Sequence, residues 1–252
     1  MPHFKLTLAY EGTTLVGWQR QAAGVSVQGL LEAALATLDD QPVAVVGAGR
    51  TDAGVHALAQ VAGCALRRDI DAATLVRALN AVLPETVRVL TAVDVPAAFH
   101  PRFDARAKAY RYRIWNGEVL SPFERAYAWH IPAPALDLDA MAAAAAALEG
   151  RHDFAAFQGT GSDTHTTERT VFSSRVERSH PHDPLITYDI RGDGFLRHMV
   201  RTIAGTLVEI GRGRHAADWI GRVLASRDRA QAGRTAPAHG LFLVGVDYDA
   251  QL

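Results

Sequence analysis

The sequence is organised around one stretch, Gly47-Ala48-Gly49-Arg50-Thr51-Asp52-Ala53-Gly54-Val55-His56-Ala57. An apolar run at residues 43–46 leads into it, which predicts a strand followed by a glycine-flanked turn. Such glycines allow the main chain to adopt positive φ or to approach a ligand closely. Arg50 and Asp52 stand two positions apart in the turn, and a nearby guanidinium favours the charged form of a carboxylate. We therefore predict that Asp52 is ionised and held in place, as a carboxylate nucleophile must be.

Two nucleotide-binding motifs and a plain turn are the other interpretations of this stretch. A dinucleotide-binding fingerprint needs glycine or alanine where Asp52 stands, and a phosphate-binding P-loop needs a lysine that the stretch lacks. The remaining alternative is a plain tight turn between two strands, in which Asp52 hydrogen-bonds its own backbone. The local chemistry alone leaves this alternative and the catalytic one open.

Six motifs along the chain occur together in a known order. The segment Arg50-Thr51-Asp52-Ala53-Gly54-Val55-His56-Ala57 resembles the signature of the TruA-type tRNA pseudouridine synthases. The five other motifs that resemble this family are Tyr10-Glu11-Gly12 with Gly17-Trp18-Gln19-Arg20-Gln21, Phe99-His100-Pro101-Arg102-Phe103, Tyr110-Arg111-Tyr112, Gly194-Phe195-Leu196-Arg197-His198-Met199-Val200-Arg201, and Thr235-Ala236-Pro237-Ala238 with Gly240-Leu241. Pro101 departs from the small residue, such as alanine, that is expected there.

The resemblance implies a fold as well as an activity. It implies the α+β pseudouridine synthase fold, in which two RNP-like (ferredoxin-like) subdomains form one continuous, mostly antiparallel sheet with flanking helices and a basic cleft. Residues 1–103 would carry the catalytic Asp loop, and residues 104–252 would complete the RNA cleft. The alternation of strand and helix patterns in two halves of the chain independently suggests two α+β units.

The implied reaction is the isomerisation of uridine to pseudouridine in tRNA, without a cofactor and with Asp52 as the catalytic residue. The resemblance further implies anticodon stem-loop substrates, modified at tRNA positions 38, 39 and 40, and a homodimeric enzyme in the cytoplasm. Asp52 would attack the ribose C1′ or the uracil C6, or act as a base at C2′, and the sequence does not choose among these.

The same resemblance assigns substrate-binding roles to residues in both halves. Arg50 would fill the space left by the extruded base, and Tyr110 would stack on or hydrogen-bond the flipped uracil. Phe195 and Leu241 would be apolar pocket walls, and Arg201 would be a cationic partner of Asp52. His56 would either orient the site or simply pack, and packing is favoured.

Charge and composition restrict the partner and the chemistry. The net charge of −1 excludes a uniformly basic surface, so an RNA-binding protein of this composition must cluster its cations. The first cluster interleaves Arg102, Arg106, Lys108, Arg111 and Arg113 with Phe103, Tyr110 and Tyr112, which favours contact with RNA bases and phosphates. The second cluster is Arg197, Arg201, Arg212 and Arg214, for which a solvated face balanced by acids is an equal alternative.

Further function classes are disfavoured. The single cysteine, Cys64, excludes an internal disulfide framework and suits a reducing cytosol. The 11 histidines show no metal-binding spacing, so no metal site is predicted. No apolar run reaches membrane-spanning length. A non-catalytic RNA-binding module remains an alternative to the enzyme, whereas a glycoside hydrolase would need a carboxylate pair that does not stand out.

Hydrophobic periodicity and capping residues predict the main elements. Ser26 and Asp71 are predicted to cap helices, the first of which continues to Asp39. Further helices are predicted at 137–149, 195–210 and 216–225. Strands are predicted at 4–10, 43–46, 60–66, 87–95, 105–115, 170–179, 185–191 and 241–248. In the strand at 105–115 the cations fall on both odd and even positions, which predicts a bulge or the use of both faces.

Overall fold

The computed structural model describes residues 1–161, 164, 166–180 and 182–249. Within them the chain divides into two compact units. The first comprises Met1–Arg106 together with the described residues from Phe242 onward, and the second comprises Ala107–Leu241. The division drawn from the sequence assigned residues 242–252 to the second half, whereas the described part of this segment groups with the first unit.

In the described residues the two units contain ten strands and five α-helices, numbered here in chain order. The strands are β1 (His3–Tyr10), β2 (Val46–Gly47), β3 (His56–Ala65), β4 (Val87–Asp94), β5 (Ala107–Trp115), β6 (Trp129–His130), β7 (Gly150–Asp153), β8 (Glu168–Arg178), β9 (Leu185–Gly192) and β10 (Leu241–Asp247). The helices are α1 (Val27–Asp39), α2 (Ala72–Val82), α3 (Leu138–Ala146), α4 (Met199–Gly211) and α5 (Trp219–Ser226).

The first unit is built on strands in the order β4-β1-β3-β10, with β2 also paired to β3. β1 is antiparallel to both β3 and β4, while β10 is parallel to β3, with Phe242 opposite His56. Side chains of β1 alternate in burial, so that Phe4, Leu6 and Leu8 lie in the core. Helix α2 packs on β4 and also contacts α1, which closes the core of this unit.

Helix α1 shows how local sequence positions the loop that follows β1. The side chain of Ser26 accepts a hydrogen bond from the backbone N–H of Gly29 and caps the helix, as predicted. The backbone N–H groups of Val27 and Gln28 donate to the carbonyl oxygens of Gly17 and Trp18. The start of α1 is therefore tied to the loop that follows β1.

The second unit has strands in the order β5-β9-β8-β7, with β6 parallel to β5. Neighbouring strands along β5-β9-β8-β7 are antiparallel, and Tyr112 of β5 and Tyr188 of β9 face each other in the core. Helix α4 is buried around most of its circumference, as expected for a helix at the centre of a unit.

The α+β class predicted from the sequence is confirmed, and most elements occur where the periodicity put them. The helix expected at 195–210 begins only at Met199, because His198 adopts a left-handed conformation with φ of 60°. The strand expected at 43–46 pairs only at Val46–Gly47, and the short strands β6 and β7 were not predicted.

The strand expected at 105–115 is β5, and its pairing with β9 is unbroken from Lys108 to Trp115. The cations therefore occupy both faces of β5, and no bulge interrupts this pairing. In the part of the chain that the structure describes, no helix is long and apolar enough to cross a membrane.

Candidate active site

Asp52 lies in a turn between β2 and β3. The backbone N–H of Val55 donates to the main-chain carbonyl of Asp52 at 3.1 Å, and Gly54 at the third turn position has φ of 78°. This combination is that of a type II turn, which needs glycine at that position. The tight turn between two strands is thus present, and a main-chain hydrogen bond closes it. The side chain of Asp52 is half-buried, while Arg50 is exposed.

A buried polar network holds the residue before Asp52. The hydroxyl groups of Tyr10 and Thr51 are 2.8 Å apart. The amide of Gln60 donates to the carbonyl oxygen of Gly49 at 3.0 Å and to the Tyr10 hydroxyl at 3.4 Å. Because all three side chains are buried, their polar groups must find partners inside the protein. These bonds fix the backbone from Gly49 to Thr51 against β1 and β3.

Burial raises the pKa of Tyr10 to about 12, although hydrogen bonds with Thr51 and Gln60 act in the opposite direction. Tyr10 therefore keeps its proton at neutral pH. Tyr10 lies in a motif that resembles the family, but the sequence predicts a site role neither for it nor for Gln60. The available signal was a glutamine at the start of an otherwise apolar strand pattern.

The loop after β1 packs closely on the same segment. The backbone N–H of Trp18 donates to the carbonyl oxygen of Thr51 at 3.1 Å. Gly17 has φ of 103°, and a Cβ atom there would lie 2.4 Å from that carbonyl oxygen. A Cβ atom on Gly47 would lie 2.4 Å from the indole of Trp18. The glycine at position 47 therefore makes room for an aromatic ring.

His56 connects the turn to the loop after β1. Its side chain is buried, and its Nδ1 accepts a hydrogen bond from the backbone N–H of Gly12 at 3.0 Å. The imidazole stacks on Phe242 with centroids 4.6 Å apart, and Nδ1 is 3.7 Å from a carboxylate oxygen of Glu11. A neutral ring that accepts at Nδ1 carries its proton on Nε2. His56 thus packs, as favoured from the sequence, and also anchors a backbone group that the sequence did not reveal.

The other predicted site residues lie at the following places. Tyr110 is buried on β5, and its ring meets Phe195 edge-on, with centroids 5.1 Å apart and planes at 80°. Leu241 is the buried first residue of β10. Arg201 lies on α4, half-buried, and its Nε donates to the carbonyl oxygen of Ala236 at 2.8 Å. The structure thus brings Tyr110 and Phe195 together and ties Arg201 to the motif that precedes Leu241.

Several arginines of the two basic clusters pair with acids of this chain. Arg111 contacts Asp189 at 2.7 Å, and Glu209 accepts from Arg214 at 2.6 Å and lies 3.6 Å from Arg212. The two contacts with Glu209 indicate that Arg212 and Arg214 of the second cluster belong to a face whose charge is balanced by acids. The Arg111–Asp189 pair is partly exposed, so it is weak and screened by salt, whereas Glu209 is only 13% exposed.

Among the residues that the structure describes, no three His, Cys, Asp or Glu side chains are grouped so as to hold a metal ion. The absence of a cofactor remains a prediction from the sequence.

Comparison with known proteins identifies relatives over almost the whole chain. The family model described as tRNA pseudouridine synthase matches residues 7–104 and 144–249. Proteins named tRNA pseudouridine synthase A are 47% identical in Solibacter usitatus and 48% identical in Moorella thermoacetica, each over 98% of this chain and 100% of the relative. The protein of that name from Myxococcus xanthus is 47% identical over 98% of this chain and 92% of its own length. With this coverage and identity, the chain belongs to the tRNA pseudouridine synthase family.

Proposed function

We propose that this chain converts uridine to pseudouridine in tRNA, with Asp52 as the catalytic carboxylate. The proposal is supported by the family membership and by the activity for which the relatives are named. The observation that carries the residue assignment is the turn around Asp52, whose backbone is held by Tyr10, Gln60 and Trp18. A half-buried carboxylate on a backbone fixed from several sides is suited to hold its position during a reaction.

The chemistry explains why a carboxylate suffices. In the isomerisation the bond from N1 of uracil to C1′ breaks and a bond from C5 to C1′ forms. The C5 proton leaves, and N1 gains a proton, so the reaction balances without an oxidant or a second substrate. A carboxylate provides covalent or proton-transfer catalysis of such a step, by attack at C1′ or C6 or by removal of the C2′ proton.

The reaction also sets requirements for the surroundings of Asp52. The uridine must leave its stack to reach a side chain of the protein, and water must be kept from the freed ribosyl centre. In our proposal Arg50, exposed in the same turn, occupies the space that the base leaves. Tyr110 contacts the flipped uracil, and Phe195 and Leu241 form apolar walls. Arg201 supplies a positive charge for the Asp52 carboxylate.

The finer substrate assignment follows the family. We propose that the substrate is the anticodon stem-loop of tRNA, at positions 38, 39 and 40, and that a cytoplasmic homodimer acts on it. Clustered cations in a chain of net charge −1 support a localised RNA surface. Analytical sedimentation tests the oligomer, and a purely monomeric protein at working concentrations would remove the dimer from the proposal.

The variant Asp52→Asn tests the catalytic assignment. Because the C5 proton is lost during isomerisation, a tRNA transcript made with 5-tritiated uridine releases tritium as pseudouridine forms. We expect Asp52→Asn to release no more tritium than a sample without enzyme, while it retains the thermal stability and tRNA affinity of the parent. The control is Asp69→Asn, an exposed carboxylate outside the Asp52 turn, for which we expect normal release.

Two outcomes of this assay count against the proposal. Normal tritium release by Asp52→Asn would discard Asp52 as the catalytic residue. Tight tRNA binding by the parent chain without any release would instead support the non-catalytic RNA-binding module.

A further inference from the structure

The loop of residues 99–104, Phe99-His100-Pro101-Arg102-Phe103-Asp104, presents an aromatic ring to solvent. Phe103 is 74% exposed. A single exposed apolar side chain is common and needs no explanation by itself. What distinguishes Phe103 is that the surrounding residues hold its backbone and one face of its ring in place.

Hydrogen bonds within the loop fix the backbone beneath the ring. The Nδ1 atom of His100 accepts from the backbone N–H groups of Arg102 and Phe103, each at 3.1 Å. The carboxylate of Asp104 accepts from the backbone N–H of His100 at 2.8 Å, and the N–H of Asp104 donates back to the carbonyl of His100 at 3.1 Å. The loop is therefore closed at both ends by His100 and Asp104.

A second set of contacts attaches the loop to the first unit. The hydroxyl of Tyr248 donates to the carbonyl oxygen of Pro101 at 2.6 Å, and the rings of Phe99 and Tyr248 are 5.4 Å apart. The ammonium group of Lys5 lies 5.2 Å from the Tyr248 ring and 5.7 Å from the Phe99 ring. These contacts anchor the loop to β1 and to the segment after β10.

The ring of Phe103 has one face covered and a cation beside it. His100 stacks on it with centroids 4.2 Å apart and planes at 28°, and the guanidinium of Arg102 lies 5.8 Å from its centroid. Arg102 is itself exposed. An aromatic ring held in one orientation beside a cation combines the two features with which proteins bind unpaired nucleotides, a stacking surface and a phosphate partner.

We propose that Phe103 is a stacking platform for an unpaired base of the tRNA and that Arg102 contacts the adjoining phosphate. The proposal rests on the proposed function only in taking tRNA as the partner. The ring offers no hydrogen-bonding group, so the platform holds a base without reading its identity. Because its backbone is held before binding, little conformational entropy is lost when the base stacks.

The test compares affinities for an unmodified tRNA transcript, measured by filter binding at one fixed salt concentration. Phe103→Leu keeps an apolar side chain but removes the π face, and we expect a loss of affinity of about tenfold. Phe103→Trp keeps the stacking surface and retains affinity. The matched control is Phe123→Leu, which changes an 84% exposed phenylalanine and leaves affinity unchanged.

Salt dependence separates the two roles. A phosphate contact contributes about one unit to the slope of log affinity against log salt concentration, whereas stacking contributes none. We therefore expect Arg102→Gln to reduce this slope by about one and Phe103→Leu to leave it unchanged. A purely structural role for either side chain would not produce this difference.

Three results would overturn the platform. The first is unchanged affinity in Phe103→Leu, and the second is an equal loss in Phe123→Leu. The third is conversion of a dimer to monomers by Phe103→Leu in sedimentation, which would assign the ring to a contact between two copies. Tritium release by the parent chain, measured in parallel, keeps the two proposals distinct. A parent chain that releases no tritium would contradict the proposed function, and the affinities measured for the Phe103 variants would still test the platform.

Discussion

At the scale of single residues, the side chain proposed to act on the substrate depends on its neighbour in the chain. Thr51 makes two kinds of hydrogen bond. Its hydroxyl is bonded to the hydroxyl of Tyr10, and its carbonyl oxygen accepts from the backbone N–H of Trp18. Both are made within the first unit, and both hold the backbone from which the Asp52 side chain extends. Positioning of this kind affects the chemical step more than the binding of RNA.

The pair Thr51→Val and Thr51→Ser tests this dependence. Valine has a similar shape but no hydroxyl, so Tyr10 loses a buried partner, and we expect a loss of unfolding free energy of about 1–2 kcal/mol. We also expect single-turnover tritium release to slow at least tenfold, with unchanged tRNA affinity. Serine keeps the hydroxyl and serves as the control, for which rates near the parent are expected. Equal rates in both variants would show that the hydroxyl does not position Asp52.

Gly17→Ala tests the close approach of the loop after β1. The added Cβ would lie 2.4 Å from the carbonyl oxygen of Thr51, at a backbone φ of 103° that alanine rarely adopts. We expect a loss of about 1–3 kcal/mol in unfolding free energy, measured in urea, and reduced activity. The control is Gly221→Ala in α5, where nothing lies within 4 Å of the new atom and a gain of about 0.5–1 kcal/mol is expected. An unchanged midpoint in Gly17→Ala would contradict the packing described.

At the scale of elements, α1 acts as a support for the site as well as part of the core. Its first N–H groups bond to the carbonyls of Gly17 and Trp18. The side chain of Gln28 accepts from the N–H of Arg20 at 3.1 Å and donates to the carbonyl of Val45 at 3.0 Å. The helix therefore holds the loop after β1 and the segment before β2, which flank the Asp52 turn.

Ser26→Ala removes the N-cap of α1. The lost bond from the N–H of Gly29 to the serine oxygen should lower the free energy of unfolding by about 1 kcal/mol. Urea denaturation measures this loss, and Ser179→Ala in an exposed turn is the control expected to change it little. A Ser26→Ala protein as stable as its parent would mean that solvent caps the helix equally well.

At the scale of the whole molecule, buried phenols and a buried thiol determine how stability responds to alkaline pH. Burial raises the pKa of Tyr10 to about 12 and raises the pKa of Tyr112, Tyr188 and Tyr248 well above their ordinary value of 10.0. Burial, assisted by the carboxylate of Asp39, raises the pKa of Cys64 from 9.0 to about 12. In each case the folded chain keeps a proton that the unfolded chain gives up.

The stability should therefore fall as pH rises above about 9. Between the unfolded and folded pKa values of each group the unfolded chain binds fewer protons. Each of the buried groups Tyr10, Tyr112, Tyr188 and Cys64 therefore removes about 1.4 kcal/mol of unfolding free energy per pH unit, and the partly exposed Tyr248 removes less. For Cys64 the loss begins near pH 9, and for the tyrosines near pH 10. Urea unfolding from pH 8 to pH 12 measures the effect, and Tyr10→Phe should make the decline above pH 10 less steep. A midpoint that stays constant to pH 12 would refute the buried protonation states.

A feature could be predicted from the sequence when it depends on adjacent residues, and could not when it depends on residues that only folding brings together. The Asp52 turn, the caps of α1 and α2 and the alternating strand β1 depend on a few adjacent residues, and these predictions were confirmed. The bond between Gln60 and Tyr10 could not be predicted, because it depends on the pairing of β1 with β3. That pairing changes register between Leu8 and Tyr10, and no local pattern encodes the change.

The sequence by itself determined the family, the α+β class and the position of the carboxylate proposed to act, since motifs and periodicities are local properties of the chain. The tertiary structure alone decided that β10 pairs with β3 in the first unit, and that His56 anchors Gly12 and stacks on Phe242. It also decided that Phe103 is displayed on a fixed loop. The physical reason is that backbone groups and buried polar side chains take whichever distant partners strand pairing brings within hydrogen-bonding distance, and those partners are set only when the chain has folded.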